Sequence, residues 1–133
     1  MNLFKQMMST AAFLCMVTTA HGAVMTVKNQ QQFNQHLDTA PIVVVEFFSP
    51  TCVHCKQFEQ SGAFEQLAQE FPDVKFLKIS YGDPEVIKLF SAHKIHGFPT
   101  FVFFKDGKEI ATHRAAGVLR KEDIKKKIMQ MKK

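Results

Sequence analysis

Four β-branched residues in succession, Ile42, Val43, Val44 and Val45, constrain this chain more than any other stretch. Such side chains are stiff at the first torsion and favour extended backbone. An apolar run without alternation reads as a strand buried on both faces. The run continues through Glu46 to Phe47 and Phe48, and Ser49-Pro50-Thr51 ends it in a turn. The next stretch, Cys52-Val53-His54-Cys55-Lys56, has helical spacing. Cys52 therefore falls at a strand-to-helix junction. Free N–H groups and the helix dipole at that place favour a thiolate.

The remaining chain divides into short alternating elements. Residues 24–27 suit a short strand, and Asn29 can cap a helix to residue 37 with Phe33 and Leu37 inward. A helix over 52–71 carries the stripe Phe64, Leu67, Ala68, Phe71, with a bend at Ser61-Gly62. Residues 74–79 form another strand. Asp83 and Pro84 fit the N-cap and first position of a helix to residue 93. Gly97-Phe98-Pro99 is a loop, 100–104 a strand, Asp106-Gly107 a hairpin turn and 109–113 its partner strand. The last helix, from Arg120, turns Ile124, Ile128 and Met131 inward and its lysines outward. The order β-α-β-α-β-α-β-β-α is that of an α/β chain. Fourteen Phe against one Tyr and no Trp predict a core filled largely by phenylalanine.

Glu46, Pro50, Cys52-Val53-His54-Cys55 and Lys56, together with Gly97-Phe98-Pro99-Thr100, resemble the two signatures of the thioredoxin superfamily. The likeness is strongest to protein disulfide isomerase-type and exported bacterial thioredoxin-like domains, and it runs from about residue 23 to the end. Thr51 departs from the pattern, because the family usually has Trp there. The resemblance implies a thioredoxin fold, a central mixed β-sheet flanked by helices on both faces. It also implies roles. Cys52 is the exposed nucleophile and Cys55 the buried resolving thiol. Glu46, paired with Lys78 on the neighbouring strand, relays the Cys55 proton. Pro99 is a cis-proline whose loop, with Phe98 and His96, meets a substrate strand. His54 can stabilise the Cys52 thiolate by a hydrogen bond or by charge. The reaction implied is thiol–disulfide exchange with protein substrates, with the Cys52–Cys55 pair as redox carrier and no organic cofactor.

Two cysteines and two histidines, Cys52, Cys55, His93 and His96, also bear on zinc. The histidine pair is spaced more closely than in zinc fingers, and His96 adjoins the proline loop in any case, so no metal is expected. His36 and His113 read as surface residues.

Residues 1–22 read as a secretory signal peptide. Lys5 is the basic start, Ala11 to Val17 the apolar centre, and Ala20 and Gly22 the small residues before a cut at Ala23. The apolar run falls short of the ~20 residues of a membrane span. Cleavage would remove Cys15 and, with Lys5, one of the five net positive charges. The basic end, Lys125 to Lys127 with Lys132 and Lys133, fits the solvated face of a helix and lacks the stacking aromatics of a nucleic-acid site. The expectation is an exported monomer, periplasmic in a Gram-negative host. It would act as an oxidase or isomerase with a redox partner protein that could be membrane-bound. The rival readings are a reductase fed by a membrane donor and a redox-quiet chaperone or binding module.

Overall fold

The computed structural model describes residues 22–133. The expected signal segment, save Gly22, lies outside them. β1 (Val24–Thr26) leads to α1 (Gln30–Thr39), then β2 (Ile42–Phe48). α2 (Val53–Ser61) and α3 (Ala63–Glu70) precede β3 (Val74–Ser80) and α4 (Ile87–Ala92). β4 (Thr100–Lys105), β5 (Lys108–Glu109), a 3-10 turn (Ala111–His113), β6 (Ala115–Ala116) and α5 (Lys121–Met131) complete the chain. The strand order is β1-β3-β2-β4-β5, with β6 also paired to β4. β3 runs parallel to both β1 and β2, and β4 runs antiparallel to β2. The sheet is therefore mixed, with the valine-rich strand at its centre, as the fold expectation required.

The pleat sends alternate residues of β2 to opposite faces. Ile42 and Val44 join Phe58, Phe64, Phe76 and Phe101 beneath α2, α3 and α5. Val43, Val45 and Phe47 join Phe33, Leu77, Leu89 and Phe90 beneath α1 and α4. Both faces are thus covered by helices, and the core is rich in phenylalanine. Among the described residues, no helix is long and apolar enough to cross a membrane.

Local chemistry sets most element ends. Asn29 caps α1, its side-chain oxygen accepting from the Gln32 N–H at 2.9 Å. The single bent helix expected over 52–71 is instead two helices. Gly62 takes φ +66°, a left-handed conformation that ends α2, and its N–H donates to the Glu59 carbonyl at 3.1 Å. α4 starts later than expected. Asp83 accepts from the Glu85 N–H at 3.0 Å and, through its carbonyl, from Val86, so residues 83–86 close a turn of their own before the helix begins. The strand expected over 109–113 is also corrected. Its ladder stops at Glu109, Ile110 donates to the Phe103 carbonyl, and the chain then folds into the 3-10 turn before β6.

Candidate active site

The site is built where β2 ends. Ser49 to Thr51 carry the chain off the sheet, and Cys52 is the N-cap of α2. The Cys52 sulfur accepts from the Cys55 N–H at 3.4 Å, which satisfies one of the free donors of the first helical turn. It also lies 3.5 Å from the Phe98 carbonyl, to which its thiol donates. Cys52 is half-buried, Cys55 is buried, and both are free thiols in this structure.

The two sulfurs are driven apart in acidity. A hydrogen bond from the Cys55 thiol holds Cys52 below the ordinary thiol range, and the backbone N–H groups of Cys55 and His54 add to this. Burial, together with that same donated hydrogen bond, pushes Cys55 up to about 12. Cys52 is therefore the more acidic of the two sulfurs, and Cys55 is the one that holds its proton. The His54 ring is exposed and meets Gln57 across 3.3 Å. What His54 contributes to the Cys52 sulfur here is its backbone N–H.

Glu46 is only 2% exposed, deep in the central strand. Burial pushes its carboxyl up to about 7, against the opposing pull of Lys78. The expected Glu46–Lys78 pair does not form. The two are register partners on adjacent parallel strands. Even so, the Lys78 ammonium bonds to Glu59 of α2 at 3.0 Å and rides over the Phe48 ring at 4.9 Å. The helix offers Lys78 an accessible carboxylate, 61% exposed, whereas contact with Glu46 would draw the ammonium further from water. Glu59 is the residue that reading the sequence missed.

The second signature loop lies beside Cys52. The Phe98–Pro99 peptide is cis, and the Pro99 carbonyl accepts from the Gly117 N–H at 2.8 Å. Phe98 is half-buried against Tyr81 and Phe90, with ring centroids 5.2 and 5.9 Å away. His96 is exposed on the same loop. His93 is not brought to the cysteines. Its ring packs among Phe33, Phe47 and Phe104 on the other side of the sheet, 3.9 Å from Glu109. Nor are His36 and His113 simple surface residues. Each is half-buried, and His113 packs edge-on to Phe103.

The site thus gathers a buried acid, a helix-capping thiol open to solvent, a buried thiol beside it and a facing cis-proline loop. The thioredoxin family model matches residues 24–130. The chain is 37% identical over 94 residues to thioredoxin X, chloroplastic, of Arabidopsis thaliana, a match covering 69% of this chain and 49% of that protein. It is 28% identical over 107 residues to protein disulfide-isomerase 1 of Caenorhabditis elegans, covering 74% of this chain and 22% of that protein. The chain thus spans half or less of the length of these curated relatives. The crystal structure of thioredoxin from Malassezia sympodialis superposes with a TM-score of 0.70 at 26% identity, covering 83% of this chain and 91% of that one.

Proposed function

The chain belongs to the thioredoxin family, and from that premise we propose that it is an exported thiol–disulfide oxidoreductase working on protein thiols. The observation that carries this is the placing of the Cys52 sulfur. It is partly open to solvent, caps the first turn of α2, and lies next to a buried thiol that holds its own proton.

In the reductive direction the Cys52 thiolate attacks one sulfur of a substrate disulfide. A Cys52–substrate disulfide forms and the other substrate sulfur leaves as a thiolate. Cys55 then gives up its proton, for which the Glu46 carboxylate is the base, and its sulfur attacks Cys52. The Cys52–Cys55 disulfide forms and the second substrate thiolate departs. Two electrons pass from the dithiol to the substrate. The oxidative direction runs the same steps backwards. The Phe98 carbonyl, now facing the Cys52 sulfur, marks where the backbone of an extended substrate would lie.

Interactions that stabilise the Cys52 thiolate stabilise the reduced form and so make the disulfide a stronger oxidant. This, with the C-x-H-C motif, supports an oxidase or isomerase. The similarity to thioredoxins favours the second reading, a reductase with an external electron donor. Export is proposed on residues 1–22 alone. Equilibration with glutathione tests the activity and separates the directions. An oxidase or isomerase is expected toward the upper end of the range from roughly −270 to −120 mV, a reductase toward the lower. Cys52→Ser should abolish exchange. A wild-type pair that never exchanges with glutathione would overturn the proposal.

A further inference from the structure

We propose that Glu59 is a positioning residue for Glu46: by holding the Lys78 ammonium on α2, it keeps that cation off the buried carboxyl and leaves Glu46 able to take up and release a proton. The proposal rests on the enzymatic reading and deepens it, since Glu46 is the base of the resolving step there.

The geometry is a three-way contest. Glu46 and Lys78 face each other across the β2–β3 pair, so their side chains leave the sheet on the same side. α2 crosses that side, and Glu59 lies one helical turn beyond Cys55 on it. One ammonium thus has two carboxylates within reach of its flexible stem. It bonds to Glu59 at 3.0 Å, and among the ion pairs of the described residues Glu46 has none. The other charged or titratable groups bearing on Glu46 are Glu65 of α3 and the two cysteines. Its neighbour on β4 is apolar, Phe101. Lys78 is therefore the one cation acting on Glu46, and Glu59 decides where it sits.

This placement sets the working range of the base. A carboxylate paired with an ammonium inside a protein ionises well below neutrality and is then a poor proton acceptor. Glu46 instead titrates near neutrality, with Glu59 adding to the effect of burial. An acidic residue on the helix thus does indirectly what removal of Lys78 would do, while leaving the ammonium in place.

The test tracks the Glu46 carboxyl carbon by NMR through a pH titration of the reduced protein. The set is wild type, Glu59→Gln, Glu59→Asp, Lys78→Met and the Glu59→Gln/Lys78→Met double variant. In Glu59→Gln, Lys78 turns to Glu46 and the midpoint falls by about one pH unit or more. Glu59→Asp, which keeps the charge, restores most of the wild-type midpoint. Lys78→Met raises it. In the Lys78→Met background, Glu59→Gln moves it far less than in wild type. The pH profile of mixed-disulfide resolution shifts with the midpoint. An unchanged midpoint in Glu59→Gln, with Lys78 staying over Phe48, would overturn the proposal. So would an equal shift with and without Lys78, because Glu59 would then act through its own charge. The NMR readout does not need turnover. A shifted midpoint in a protein that fails to exchange with glutathione would sink the enzymatic reading and leave the Glu59–Lys78–Glu46 linkage standing.

Discussion

Glu46, the base of the proposed resolving step, also bears on the stability of the fold. Its carboxyl ionises at about 7 in the native protein against an ordinary 4.5. The native state therefore binds this proton more tightly than the unfolded chain does. The resulting stability is fully present below about 4.5 and is lost as pH rises through about 7. Glu46→Gln keeps the shape and removes the anion. Well above neutrality the variant should be more stable than the parent by on the order of 3 kcal/mol, with the gain vanishing in acid. Urea unfolding at several pH values reads this directly, and parallel stability curves would count against it. The site residues were unevenly legible in the sequence. Cys52, Cys55, Phe98 and Pro99 are marked by local pattern, and Glu46 announces itself as an acid in an apolar strand. The partner of Lys78 does not. Glu59 lies 19 residues away, and only the rotation of α2 over the sheet brings it to the ammonium.

At the scale of elements, the break between α2 and α3 shapes the site. Gly62 at φ +66° separates the helix that carries the cysteines from the helix that anchors to the core. A Cβ there meets nothing closer than the Gln66 amide nitrogen at 3.5 Å, so conformation, not crowding, sets the cost of adding one. Gly62→Ala should lose ~1 kcal/mol, the left-handed penalty of an L-residue, as measured by thermal or urea unfolding. The β2 strand could be read straight from its residues because burial on both faces leaves an unbroken apolar signature. α4 and the segment after Glu109 could not. Pro84 fits the first turn of a helix equally well as the turn that Asp83 closes, and two residues of strand are too few to carry a pattern. Competing local hydrogen bonds, to Asp83 and from Ile110, settle those boundaries.

Across the whole molecule, phenylalanines join the layers. Phe64 of α3 meets Phe58 of α2 and Phe76 and Phe101 of the sheet edge-on, at centroid distances of 5.2 to 5.9 Å. One ring thus ties both helices to two strands beneath the active site. Phe64→Ala should cost ~3–5 kcal/mol, and the Cys55 thiol should become easier to alkylate as α2 loosens. A large loss of stability with Cys55 still protected would show that α2 is held by other contacts. The sheet itself stops short at both borders. On one side its last strand is β1, three residues long; on the other, β5 and β6 lie along β4 with the 3-10 turn between them. Left bare, β4, with Phe101, Val102, Phe103 and Phe104 in a row, would be a template for a foreign chain to add onto. Covering it with strands only two residues long leaves little bare edge for a foreign chain to extend, beside so apolar a sequence.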